Sequence, residues 1–499
     1  MPTPAPLLYP RGFLLTQSAQ ILLEDLDHYA VTTLGGALLY HDVATPLDVF
    51  RAPEGWLATI GTTLPSSTGS DLRPRAARAE ELWTAFHEGG LEALEDELYD
   101  LGGRHAVMAS NGQETWVYHD AAGSRSVYYD TANGNVGSHY DMMAMLNRRP
   151  AEHAGTVGKL RLDLRNRYTA HSDIECLLPN HRLVAGKMAQ ERFHLSGPNR
   201  ARTLDVEASL RIVISAWESQ LACALDQADE VAFSMTGGID SRLLLALADA
   251  HRDTLTSFTY TYSGAQSGAA PKTAWDRSME MDFNIVQRLR PFLPARHTFI
   301  TKPDESRSSW RAEHAATLRR NSEGTHGQWL LPSYLELFPS RNTLHYRGNI
   351  VGLGRLVLAD PSALHDPHGR LRKLIKSRSR AGADLAPHAL RIHDAESVQA
   401  QYDSVHPDYE LTDVWYWENR LARWYGQLLN ETDVAFDTFT PFNTRRIIDS
   451  FLALDPVDRK AGLMQRELIY RGNPYLTFTG INEMTDLYRA HVSPGPAGA

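Results

Sequence analysis

At 499 residues the chain has room for two or three domains, and 42% hydrophobic with 22% charged residues is enough to bury sizeable cores. A formal net charge of −10 argues against a general nucleic-acid binder, and no apolar run reaches the length of a membrane span. The two distant cysteines, Cys176 and Cys223, suit a reducing compartment and exclude a disulfide scaffold, and without a CxxC pair or HExxH helix there is no structural zinc motif.

Residues 1–15 lack the basic start and long apolar core of a signal peptide, so a cytoplasmic protein is expected. Up to about 195 the chain is strand-rich. Short runs at 30–34, 56–60 and 115–118 are bounded by Gly, Asn and Asp turns, with helical patterns at about 76–99 and 139–147. The segment 196–199, Ser-Gly-Pro-Asn, reads as a linker. A helix at 205–227 then leads into a strand and loop at 231–241, a helix at 242–250 and a strand at 255–262. A helix at about 278–290 and a strand at 296–300 follow. Alternation of this kind predicts a parallel sheet covered on both faces, with ligands beyond the carboxyl ends of its strands. From about 305 the chain reads as mostly helical, no internal repeat is present, and the tail from 491 is expected to be disordered.

Residues 231–242 read Val-Ala-Phe-Ser-Met-Thr-Gly-Gly-Ile-Asp-Ser-Arg. An apolar strand runs into two glycines and straight into a helix. The glycines let backbone N–H groups approach an anion, and the helix start adds unpaired donors and a positive dipole end. Thr236 and Ser241 supply hydroxyls, and Asp240 can hold magnesium. No Gly-Lys-Ser/Thr follows, so this is not the lysine-bearing phosphate loop. It resembles the pyrophosphate loop of ATP pyrophosphatases.

Other segments extend the resemblance in order along the chain. They are Leu101-Gly-Gly-Arg-His-Ala-Val107, Asp120-Ala-Ala-Gly-Ser-Arg-Ser-Val-Tyr-Tyr129, Gly137-Ser-His139, Leu177-Leu-Pro-Asn-His181 and Pro441-Phe-Asn-Thr-Arg445. Together they resemble the asparagine synthetase family, in which a glutaminase domain precedes an ATP-pyrophosphatase domain. The resemblance implies an N-terminal αββα Ntn-hydrolase-like sandwich over 1–198. It also implies a C-terminal parallel α/β, HUP-like ATP-pyrophosphatase domain over 199–490 that ends in a helical part. Two departures matter. The family's glutaminase nucleophile is a cysteine exposed by loss of Met1, but here position 2 is Pro2, so no thioester with glutamine can form there. This pattern is similar to the β-lactam synthetase, carbapenam synthetase and lasso-peptide cyclase relatives, which join an amine and a carboxylate already in their substrate. The second departure is in the family's second glycine-rich loop, whose carboxylate helps hold magnesium. Its counterpart at 345–355 carries Arg347, Gly348, Asn349 and Arg355 and no carboxylate, and Asp360 lies too far along to take that role. Arginines can instead neutralise pyrophosphate directly.

The resemblance implies ATP and Mg2+ as cofactors. Gly237, Gly238, Thr236, Ser241 and Arg242 would hold phosphates, Asp240 the metal, and Phe258 and Thr259 the adenine. A carboxylate would attack the α phosphorus, and a bound amine would then displace AMP to form an amide or lactam. For the second step Glu418 is a candidate base, with a salt bridge to Arg420 or Arg423 as its alternative role. Lys460 and Arg466 lie where the family has a lysine beside the acyl group, and Lys460 reads equally as a solvated lysine. His326 and Asn321 are candidates for touching substrate or capping a helix. The expected partners are small-molecule or peptide carboxylates and amines, in bacterial specialised metabolism, with a homodimer compatible and neither nucleic acid nor membrane. Two alternatives stay open: a nucleotide-binding scaffold without turnover, and a synthetase that uses free ammonia.

Overall fold

The computed structural model describes residues 6–17, 26–66, 78–301, 305–324, 326–355, 366–379 and 385–484; Pro2, Asp360 and the tail from 491 lie outside these residues. The first half contains β1 (Phe13–Thr16), β2 (Tyr29–Leu34), β3 (Ala37–Asp42), β4 (Leu47–Ala52), β5 (Gly55–Pro65) and β6 (Leu101–Ser110). Six more strands follow: β7 (Thr115–His119), β8 (Tyr128–Asp130), β9 (Val136–Gly137), β10 (Ile174–Cys176), β11 (His181–Val184) and β12 (Ala189–Arg192). They form two antiparallel sheets, ordered β10-β8-β9-β1-β3-β2 and β12-β11-β7-β6-β5-β4. The two-residue period of β6 explains how the layers stack. Ala106 and Met108 point between the sheets with Phe13, Ile60 and Val117. Val107 and Ala109 point outward to Leu82, Trp83, Phe86 and Leu98 of α1 (Arg78–Asp100), which is bent at Gly90. On the opposite face α2 (Tyr140–Asn147) seats Met142 and Met143 against Leu14, Tyr128 and Ile174. The result is the expected αββα sandwich.

The second half is built on a five-stranded parallel sheet of β13 (Glu230–Ser234), β14 (Leu255–Tyr260), β15 (Arg296–Ile300), β16 (Thr343–Tyr346) and β17 (Asp437–Phe439). Its order is β15-β14-β13-β16-β17. β13 is apolar on both faces because both are covered. Val231 and Phe233 pack with Leu210, Val213 and Trp217 of α3 (Val206–Gln227), and Ala232 packs with Phe258, Leu331 and Phe436 on the other side. Asp205 starts α3 by accepting from Ala208 N at 2.6 Å. α4 (Ile239–Leu247) begins three residues earlier than its hydrophobic pattern suggested, directly at the glycines, and α5 (Ala274–Leu289) opens with a Thr273/Asp276 capping box. Chain direction diverges between β13 and β16, which makes this the switch point of the sheet.

The halves meet through buried charge. Arg104 of β6 donates Nη1 to Asp437 of β17 at 2.9 Å, Nη2 to Asp433 at 2.9 Å and Nη2 to Asn430 at 3.1 Å. Arg125 Nη2 reaches Asp437 at 3.2 Å, and Thr62 Oγ1 donates to the same carboxylate at 2.8 Å. Asn443 donates to Gly103 O at 2.6 Å and Asp120 Oδ1 at 2.7 Å, and accepts from Ala122 N at 2.7 Å. All these side chains are buried. Burial alone would raise the Asp437 carboxyl, but Arg125 and Arg104 outweigh it and hold it well below the usual carboxylate range. The stability this carboxyl contributes is therefore present above the ordinary range and lost only in strong acid. Arg104→Ala leaves Asp433 and Asp437 short of a buried partner, and urea unfolding is expected to report a loss of about 3–5 kcal/mol. A loss under about 1 kcal/mol, the range of a surface pair, would contradict a buried pairing.

Candidate functional site

β13 ends at Ser234, the loop 236–241 turns, and α4 starts with Gly238 as an extended N-cap (φ −77°, ψ 164°) that offers no side-chain cap. The first N–H groups of α4 have no carbonyl one turn earlier to accept them. Across the switch point, the segment after β16 carries Arg347 to Arg355. It approaches closely because Gly348 has no side chain: a Cβ there would lie 2.7 Å from Leu244 Cδ1 and 3.1 Å from Asp240 O. Gly237 is equally constrained, since a Cβ would meet Ile285 Cδ1 of α5 at 2.6 Å. Between these loops lies a cavity of about 520 Å³. Thr236, Asp240, Ser241, His326, Arg347, Gly348, Asn349 and Arg355 line it, so the structure brings most of the sequence-predicted residues together.

Within the loop, Thr236 Oγ1 and Ser241 Oγ lie 2.9 Å apart, Thr236 N donates to Ser241 Oγ at 3.1 Å, and Gly238 N donates to Thr236 Oγ1 at 3.3 Å. Gly237 N donates to Asp282 Oδ1 at 2.7 Å. Asp240 pairs with Arg355 Nη2 at 3.3 Å, and burial pushes its carboxyl up to about 6 against the pull of that arginine. Arg347 Nε donates to Asn349 Oδ1 at 2.6 Å. Burial, with the charges of Arg347 and Arg420, lowers the His326 imidazole below its ordinary value.

Several predicted residues sit elsewhere. Arg242 is buried behind the loop, where it donates to Gly480 O at 2.7 Å, to Leu476 O at 3.4 Å and to Thr479 O, and so cannot reach phosphate. Phe258 is in the core against Tyr334 and Phe338, and the buried Thr259 spends its hydroxyl on Met235 O at 2.8 Å. Neither lines the cavity; the next residue of β14, Tyr260, does. Glu418 is fully buried away from the cavity, bound to Arg192 at 2.6 and 3.1 Å and to Asn180 Nδ2 at 3.3 Å, so its partner is an arginine of β12 and not Arg420 or Arg423. Lys460 is exposed on the helix Pro456–Ala461, and Arg466 bonds Ala461 O at 3.0 Å. Asn321 holds the N-terminal segment, accepting from Tyr9 N at 2.8 Å and donating to Leu7 O at 2.7 Å.

Other residues escaped the sequence reading. Residues Tyr416–Tyr425 form a π-helix, whose i→i+5 bonding widens the turn and often marks functional sites. It presents Tyr416, Arg420, Leu421 and Trp424 to the cavity, with Arg420 stacked 3.6 Å over Trp424. Trp275 and Trp329 complete an aromatic wall, their rings edge-to-face at 5.8 Å. Glu431 accepts from His326 N at 2.9 Å and Gly327 N at 2.6 Å, and burial pushes its carboxyl up to about 7. No motif flags these positions; the cluster of aromatic residues at 415–425 was the available signal.

The donor set does not fit a protein-held magnesium. Asp240 is the one carboxylate lining the cavity among the described residues, and both its oxygens face Arg355. Among those residues no three His, Cys, Asp or Glu side chains gather to hold a metal. Nor is any of their helices long and apolar enough to cross a membrane.

No family model matches the sequence, and no curated protein matches it. Solved structures give two similarities. One is to glutamine-dependent NAD+ synthetase from Acinetobacter baumannii in complex with ADP, 14% identical over 46% of this chain and 43% of that chain, with a TM-score of 0.20. The other is to glutamine phosphoribosylpyrophosphate amidotransferase from B. subtilis complexed with ADP and GMP, 11% identical over 58% of this chain and 75% of that chain, with a TM-score of 0.24. The chain thus spans less than half the length of the first of these. The fold stands on the strand order described above.

A raised carboxyl favours the fold while protonated, so the Asp240 contribution is complete below the ordinary value of 3.8 and lost as pH rises through about 6. Asp240→Asn is therefore expected to melt above wild type at about pH 8 and to lose that advantage at about pH 4. Parallel melting curves at both pH values would contradict a recessed, charged Asp240. Glu418→Ala strands Arg192 and is expected to cost about 3–5 kcal/mol in urea unfolding. A surviving protein that kept full stability would return Glu418 to the list of functional candidates.

Proposed function

We propose that the protein is an ATP-dependent amide synthetase that forms AMP and pyrophosphate and hydrolyses no glutamine. The carrying observation is the convergence of the loop 236–241 and the cationic segment 347–355 on one cavity at the switch point of a parallel sheet. The start of α4, the Thr236 and Ser241 hydroxyls, Arg347 and Arg355 would receive the triphosphate. Tyr260, Trp275 and Trp329 offer faces for adenine in place of Phe258 and Thr259.

In this reading a substrate carboxylate oxygen attacks the α phosphorus and pyrophosphate leaves. An amine nitrogen then attacks the acyl carbon and AMP leaves. His326, kept neutral by burial and by two nearby arginines, is suited to take the amine proton. Arg347 and Arg420 favour the negative charge that builds on phosphate and then on the tetrahedral oxygen. The buried interface behind the cavity suits the N-terminal domain to a supporting role.

One observation favours a second reading, a nucleotide-binding scaffold without turnover. Polar groups of the loop are already engaged, with Gly237 N donating to Asp282 and Asp240 accepting from Arg355. Pyrophosphate–ATP exchange across pools of carboxylic acids separates the two. Acid-dependent exchange is expected, reduced about a hundredfold in Arg347→Ala. Binding of α,β-methylene-ATP without exchange for any acid would favour the scaffold. Full product yield with ammonium salts and no organic amine would assign the amine to ammonia.

A further inference from the structure

We infer that Arg355 takes the place of a protein-bound divalent cation, so that this cavity binds nucleotide phosphate without magnesium. The inference rests on the nucleotide reading given above.

Arg355 Nη2 lies 3.3 Å from both oxygens of Asp240, at the head of α4 where phosphate would arrive. A metal ion would have to displace this guanidinium and give up its charge-assisted bonds. The arginine is held for this position. Arg459, itself buried and paired with Asp413 at 2.7 Å, donates Nη2 to Leu353 O and to Arg355 O, both at 3.2 Å. Gly348 brings the same segment against the backbone of Asp240. The backbone is thus clamped while the Arg355 side chain stays 45% exposed toward the cavity.

One nitrogen serves both Asp240 oxygens, which leaves Nε and Nη1 for phosphate oxygens among the contacts of the described residues. These two lie on different edges of the planar group, so each can engage a separate oxygen. Arg347 adds a fork of Nη1 and Nη2, its Nε being held by Asn349. Three lining arginines against one carboxylate give the cavity a positive character that favours free, uncomplexed polyphosphate.

The test is calorimetric titration of the full chain with α,β-methylene-ATP, once in magnesium and once in EDTA. The dissociation constant in EDTA is expected to stay within about tenfold of the magnesium value, and Arg355→Ala to weaken EDTA binding by at least about tenfold. Arg355→Lys keeps the charge without the planar set of donors and should fall between the two. Binding in magnesium that weakens more than tenfold in EDTA overturns the inference and leaves the nucleotide reading standing. Binding in neither buffer overturns both. EDTA binding that Arg355→Ala leaves unchanged overturns the guanidinium's part in it.

Discussion

The paired charges of Arg104 and Arg125 with Asp433 and Asp437 are the constraint on which the rest of the molecule hangs. Buried charges are tolerable only when they are paired and hydrogen-bonded, and meeting that condition constrains how one half docks on the other. The consequence runs outward along the chain. Asp437 begins β17; Phe439, two residues on, accepts from Arg347 N at 3.0 Å, and Thr440 Oγ1 donates to Arg347 O. The cation facing the cavity is therefore registered through β17 by charges that never see it.

The π-helical segment makes a second link. Its back face enters the sandwich domain, where Trp417 donates to Ala121 O at 2.6 Å, Glu418 meets Arg192, and Arg423 donates to Tyr168 O at 3.1 Å. Its front face supplies Arg420 and Trp424 to the cavity. A wider turn lets ten residues serve both faces, where an ordinary helix would spread the same side chains around more of its circumference. The sandwich domain thus supports the back of this segment, and among the described residues none of its side chains lines the cavity.

How much of this was legible depended on whether the signal was local. β13, the glycines and α4 were readable because strand, turn and helix propensities change over a dozen adjacent residues. The sandwich strands were readable as short runs bounded by Gly, Asn and Asp turns, and Arg347 and Arg355 from their place after a strand with glycines. Glu418 was misplaced because a carboxylate among aromatics looks the same in sequence whether it faces a cavity or an arginine of β12. Phe258 and Thr259 were two and one residues short of the position that reaches the cavity, since where β14 emerges from the sheet is set by its neighbours. The Arg104 cluster was invisible as a cluster: its members lie more than 300 residues apart and meet only after both halves have folded.

The segment 476–482 anchors the loop 236–241 from behind. Arg242, one residue past that loop, spends its guanidinium on the carbonyls of Leu476, Thr479 and Gly480, while Asn482 N donates to Gly237 O at 3.0 Å. A premature stop codon just before this segment would remove it. It would also leave a buried cation with no acceptors immediately behind the loop and release the backbone of the loop itself. Its effect would fall on the loop 236–241, more than 230 residues earlier in the chain.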